Sequence, residues 1–329
     1  MSGTRAQISK PIAIAITVVA VAVPPIVASA MGQSALAGSL VLPVIATLLP
    51  ALLAGPRTAL FATGVVTAGS AAAALTSGDP ILGAIVMGLT SLVSALGCRW
   101  GESKILVLVP MTVGFLVCAT PSASSDRGTN ALLIGGATLA AAAWGAVIGS
   151  LLHRDAPQAD TRTESWQRTW AYATTLAVLT GIAAGISIAI DWAHAGGWFI
   201  LTVVLVFQPY LQDSFQRTWQ RAAGTVLGVI AAYVIHIVVP WPAVEVILGA
   251  VLMVTAVAVI SEHKYPYWVF TTILTPAIVL LSGASTDFDN VAVARLLATL
   301  AGAGLAFAAA ALLAPIYSAS AKRHGSTRY

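Results

Sequence analysis

Charge is scarce in this sequence: Asp, Glu, Lys and Arg together make up 9% of its 329 residues, against about 25% in soluble domains. A chain with 58% hydrophobic residues and a mean hydropathy of +0.90 has too little polar surface to face water all round, and it is read as an integral membrane protein. Cysteine is nearly absent. Cys98 and Cys118 fall toward opposite faces of the topology derived below, too far apart for a disulfide, whose Cα separation is held to about 4.4–6.8 Å. The five histidines are dispersed without ligand spacing, so neither a metal site nor another cofactor is expected. The sequence also lacks a nucleotide-binding loop, a Gly-x-Ser-x-Gly and a His-Glu-x-x-His. These absences remove the familiar routes to ATP hydrolysis, acyl transfer and zinc catalysis, and the chain is expected not to be an enzyme. The net charge of +4 and pI near 9.3 need no nucleic acid partner, because a basic excess in a membrane protein reports cytoplasmic loops and anionic lipid.

What the sequence has in abundance is apolar runs. Twelve are legible, at 12–30, 34–54, 58–76, 80–98, 105–120 and 130–152, and then at 169–190, 197–211, 222–239, 243–261, 265–282 and 291–315. Several are near the lower limit for crossing about 30 Å of hydrocarbon. The first ends in Ala28-Ser29-Ala30, like a signal peptide with its cleavage site, but a retained helix is expected, kinked or ended by Pro24-Pro25. The fold class read from this pattern is all-α: a polytopic transmembrane helical bundle of about twelve helices, arranged as two six-helix parallel repeats. Residues 1–152 form the first membrane half, 153–168 a cytoplasmic linker, 169–316 the second membrane half and 317–329 a cytoplasmic tail. With both termini cytoplasmic, 14 of the 16 Lys and Arg residues fall inside and only Arg127 and Arg295 outside, the asymmetry of a plasma (cell inner) membrane protein. The repeat is read from residues 121–126, PSASSD, against 282–287, SGASTD, and from Ala137-Thr138-Leu139-Ala140 against Ala298-Thr299-Leu300-Ala301.

The most distinctive stretch is 197–228, GWFILTVVLVFQPYLQDSFQRTWQRAAGTVLG. An apolar run breaks at Gln208-Pro209 and resumes as a helix whose Gln212, Asp213, Gln216, Arg217, Gln220 and Arg221 share one face at a period of 3.6. Gly224, Thr225 and Gly228 carry that face into the membrane. Arg217 and Arg221, one turn apart, can each hold a carboxylate through two parallel N–H bonds, and Asp213 can give up its own pairing to an arriving organic anion. The competing reading makes both arginines anchors at the inner end of a membrane helix. Gly224 and Gly228 read as a packing seam, with the Thr225 hydroxyl open to a substrate path. Pro209 frees a backbone carbonyl beside Gln208, as in a broken-helix binding site or at a plain helix end. Most Trp and Tyr residues fall at the membrane boundaries as an aromatic belt, whereas Trp144, in mid-run, suits central packing or stacking on an aromatic ligand. No Asp, Glu, Lys or Arg stands at the middle of any run, where a proton relay would be found, and His236 reads as a packed residue.

Trp198, Thr202, Gln208, Pro209, Arg217, Arg221, Gly224, Thr225 and Gly228 together resemble the signature of the fusaric acid resistance-like permeases, the group that includes aromatic acid exporters. The resemblance implies a permease exporting small aromatic or other organic acids, driven by an ion or proton gradient. It sets Arg217, Arg221, Gln208, Thr225, Asp213, Trp198 and Tyr210 against the substrate, with Gly224, Gly228 and Pro209 packing the helices. Proton coupling rests on the resemblance alone. Its titratable candidates are Asp213, Glu262 and His263 at the inner rim, and Asp191, His194 and Asp287 at the outer. The partners to expect are small organic anions, membrane lipid, a second copy of the chain in a homo-oligomer and, by the resemblance, a periplasmic adaptor protein. This chain departs from larger members in placing only a linker and a short tail on the cytoplasmic side. Two other classes stay open: a passive organic-anion channel, and a non-transporting membrane scaffold that packs through its glycine-rich faces. A membrane enzyme would need a convergent polar cluster that the linear sequence does not display.

Overall fold

The computed structural model describes residues 10–100, 102–153, 165–207, 211–239, 241–261, 265–283 and 288–325. These residues are helical almost throughout, and no strand occurs among them. Twelve rods follow one another: α1 Lys10–Ala30, α2 Ser34–Ala54 with a 3-10 turn at Gly38–Leu40, α3 Pro56–Leu75, α4 Pro80–Ala95, α5 Leu108–Cys118, α6 Arg127–Leu152, α7 Trp166–Ala189, α8 Ala193–Val206, α9 Leu211–Val238, α10 Pro242–Ser261, α11 Tyr267–Gly283 and α12 Phe288–Gly325. A 3-10 turn, Leu96–Trp100, and a short helix, Ser103–Leu106, join α4 to α5.

Six rods are long and apolar enough to cross a membrane: α2, α3, α6, α7, the segment Phe215–Val238 of α9 and the segment Phe288–Leu312 of α12. Five further apolar helices are shorter. The chain is thus a multi-pass membrane protein. Several helices begin ahead of their apolar runs, α9 furthest, at Leu211. Polar side chains do not end a helix whose backbone groups stay bonded, and that difference decides where two arginines lie.

Side-chain chemistry sets the helix starts. Asp79 caps α4, accepting from the backbone N–H groups of Ile81 and Leu82 at 2.9 Å, while Pro80 at the first position has no N–H to satisfy. Asp126 caps α6 by accepting from Thr129 N–H at 2.7 Å, and that bond holds its carboxyl below the usual carboxylate range. Gly55, at φ 95°, turns the chain sharply from α2 into Pro56 at the head of α3.

α1 runs on through Pro24 and Pro25 to Ala30, so the proline pair does not end it. A proline removes the donor that would bond the carbonyl four residues back, which for Pro24 is that of Ala20. Trp144 of α6 supplies the missing donor, its indole N–H reaching the Ala20 carbonyl at 2.9 Å. The ring itself is exposed, so the structure gives this mid-run tryptophan a hydrogen bond to α1 rather than central packing. Trp144→Phe keeps most of the ring and removes the donor. It is expected to cost about 1 kcal/mol, read as a lower thermal unfolding midpoint in detergent; an unchanged midpoint would mean the carbonyl is satisfied otherwise.

The helices gather into two compact units, Met1–Ala177 and Val178–Tyr329, the division falling within α7. In the first, α6 packs along α2 and α3, and α5 along α3 and α4. In the second, α12 packs along α8 and α9, and α11 along α9 and α10. Glycines set the closest approaches of the second unit. A Cβ on Gly224 of α9 would stand 2.7 Å from the Trp268 carbonyl of α11 and run into the Thr271 hydroxyl, and one on Gly228 would stand 2.6 Å from Thr275 Cβ. On α12, a Cβ at Gly302 would stand 2.9 Å from the Phe199 carbonyl of α8 and 2.7 Å from Thr202 Cβ. Backbone therefore meets nearly bare backbone along α9/α11 and along α8/α12.

Candidate anion site

Arg217 and Arg221 start α9 one turn apart and meet different surroundings. Arg217 is half-buried, its guanidinium 5.4 Å from the centroid of the Tyr267 ring at the head of α11. Arg221 is 1% exposed; one terminal N–H donates to the Tyr267 hydroxyl at 3.3 Å, while its Nε has no partner. A third arginine joins them from α12. Arg295 is also 1% exposed, its guanidinium 4.0 Å from the centroid of the Trp198 ring of α8, and none of its three nitrogens has a hydrogen-bond partner among the described residues. Arg221 lies close enough to Arg295 for the two charges to repel.

Four helices thus bring two buried cations into the interior of the second unit, Arg295 over the Trp198 ring and Arg221 on the Tyr267 hydroxyl. Burying an ion costs several kcal/mol even after relaxation, and a cation over an aromatic face returns about 0.5–2 kcal/mol. A bound anion would offset the deficit. A carboxylate can accept two parallel N–H bonds from one guanidinium, and Arg295 keeps its planar array of donors for such an acceptor.

Hydroxyls continue the polar surface. Phe215 of α9 meets Phe307 of α12 edge-on at 5.1 Å, and Tyr233 meets Phe288 in the same way at 5.2 Å, so the two helices run antiparallel. That register puts Arg295 about a turn and a half beyond Arg221 along the bundle, roughly 9 Å. Thr225 and Thr299, each one turn on from its arginine, lie at levels between the two. Both are buried with hydroxyls that have no partner, as is Thr275 beside Gly228.

The structure moves two residues from where the sequence puts them. Arg221 reads as an inner-loop anchor and Arg295 as an outer-loop residue, yet both are buried within apolar spans, each about two turns from the span's start. Trp198 and Tyr267 read as belt residues but serve as seats for the arginines. Trp100, Trp166, Trp219 and Trp241 are exposed, as a belt requires. Arg295 is the functional candidate that sequence reasoning missed. Its signal was there: Arg295, Thr299, Gly302 and Ala306 fall at i, i+4, i+7 and i+11, one buried face carrying a charge. Gln208, Pro209, Tyr210, Glu262, His263 and Asp287 lie outside the described residues, as do the side chains of Asp213 and His194. Asp191 is exposed just beyond the end of α7.

Residues 182–309 match the family model described as fusaric acid resistance protein-like, and Trp198, Arg217, Arg221, Tyr267 and Arg295 all fall within the match. The second unit carries a fusaric acid resistance protein-like domain. Two bacterial relatives are similar to parts of the chain. An uncharacterized protein, ORF2, of Neisseria gonorrhoeae is 32% identical over 192 residues, 50% of this chain and 45% of that protein. An uncharacterized protein of Haemophilus influenzae is 34% identical over 127 residues, 37% of this chain and 17% of that protein. The chain spans less than half the length of these curated relatives. No solved structure matches it.

Proposed function

We propose that this chain is the membrane part of a permease that exports small aromatic or other organic acids, with Arg221 and Arg295 as its buried anion site and Arg217 at the approach to it. The observation that carries this reading is Arg295, fully buried inside an apolar span with three unpartnered nitrogens. A scaffold has no use for such a charge, since an apolar side chain of similar size would pack at lower cost. Gradient drive, cytoplasmic termini and a cytoplasmic approach belong to the same proposal; the charge asymmetry of the loops supports the orientation. Kinship of the two halves belongs to it as well. It is supported by the alike packing of α6 on α2 and α3 and of α12 on α8 and α9.

The test is movement of labelled benzoate and related aromatic carboxylates in proteoliposomes under an imposed pH gradient, parent beside Arg221→Gln/Arg295→Gln. Gradient-dependent movement by the parent, reduced at least about a hundredfold in a folded variant, is expected for two lost charge-assisted contacts. Current that ignores the gradient would instead favour the channel reading. Absence of movement by the folded parent across the whole panel would sink the proposal.

A further inference from the structure

The end of α9 remote from Arg221 carries a second polar contact, in an otherwise apolar shell. His236 Nδ1 lies 2.7 Å from the Glu245 carboxylate in the first turn of α10. The Glu245 side chain is 5% exposed and that of His236 is 44% exposed. Phe288, the first residue of α12, lies flat on the imidazole, with centroids 4.0 Å apart and planes 6° apart. Val229, Ala232, Val279, Leu280 and Ala292 close the cluster. The other titratable groups nearby among the described residues are Tyr233, whose ring meets Phe288 edge-on, and Asp289, exposed beside Phe288; α11 contributes Val279 and Leu280 to this cluster.

A carboxylate shut into such a shell is costly without a partner, and the partner supplied is the one side chain whose ordinary titration spans neutrality. With the imidazole neutral, Nδ1–H donates to Glu245 and the pair carries one negative charge. A proton taken at Nε2 turns the pair into a neutral ion pair without breaking the contact. One proton therefore changes the net charge of a partly buried site by one unit while its geometry survives. One helix of the pair also belongs to the anion site, since His236 shares α9 with Arg221, and the ring stacked on His236, Phe288, lies two turns before Arg295 on α12.

We infer that His236 and Glu245 form the proton-binding site of the permease, at the far end of α9 from the anion. The inference rests on the permease reading for its consequence, and its chemistry can be tested apart from it. His236→Gln keeps a side-chain N–H for Glu245 and cannot titrate; Glu245→Gln keeps the shape and cannot ionise.

Two readouts in proteoliposomes separate the roles: exchange of labelled for unlabelled benzoate at equal pH, and benzoate movement driven by a pH step. Both variants are expected to continue exchange, which needs no net proton, and to lose pH-driven movement about tenfold or more. Retained pH drive overturns the inference. So does parallel loss of both readouts with a lowered unfolding midpoint, the mark of a purely structural tie. A third measurement needs no transport at all: indicator-dye titration of the detergent-solubilised protein between about pH 8 and 5 should show the parent taking up about one proton more than His236→Gln. Equal uptake overturns the proton site whatever the transport result. A proton difference in a parent that moves no benzoate would uphold the pair as a proton site while the permease reading fails by itself.

Discussion

Arg295→Met should give a protein that is more stable than the parent and no longer binds organic anions. The two effects have one cause. Arg295 is fully buried, stacked on Trp198, near Arg221, and bonded through none of its nitrogens. Methionine fills similar volume without a charge to desolvate, and such exchanges of buried ionic groups stabilise proteins by about 1–4 kcal/mol. Removal of the repulsion with Arg221 acts in the same direction. Loss of a charge-assisted contact of about 2–3 kcal/mol weakens anion binding about 30- to 150-fold. Thermal unfolding in detergent with and without benzoate reads both quantities. The parent's midpoint should rise with ligand, the variant's should start higher and stay flat. Arg295→Lys keeps the charge and loses the planar donors, so it should bind weakly and gain no stability. A destabilised Arg295→Met would show that the arginine holds the fold together, and the anion site would lose its main support.

Gly224→Ala should destabilise the second unit by about 1–3 kcal/mol, although alanine is the better helix former. The new methyl would press on the Trp268 carbonyl, which is backbone and cannot swing away, and on the Thr271 hydroxyl. α9 and α11 would have to separate along their length. Gly304→Ala is the control: it lies on α12 with nothing within 4 Å of the added carbon, so it should be neutral or stabilising by up to about 1 kcal/mol. Equal effects at the two positions would refute the seam.

Much of this architecture was legible because it is periodic. Apolar runs marked the helices, and the 3.6 spacing of Arg217, Arg221, Gly224, Thr225 and Gly228 marked the face of α9 that carries both a cation and the α11 seam. What stayed hidden depends on which helix lies beside which. Arg295 falls in the first turns of the run that begins at 291, where an arginine reads as a rim residue; its burial comes from α8 and α9 packed against α12. Its seat on Trp198 joins residues 97 apart in sequence, which no periodicity reveals. His236 and Glu245 are nine residues apart on different helices, and their contact forms only when α9 turns back into α10 at Trp241. Polar partners drawn from separate rods are what a reading of single runs cannot supply.

The glycine contacts of the second unit do more than shorten distances. α9 is meshed with α11 through Gly224 and Gly228, and α8 with α12 through Gly302. Each meshed pair carries its arginine and that arginine's aromatic ring: Arg221 with Tyr267, Arg295 with Trp198. Because α12 also packs directly along α9, the two pairs hold their like charges at a set spacing. On the proposed reading, an anion between them would offset a repulsion that this packing confines, so insistence on negative charge would be built into the fold.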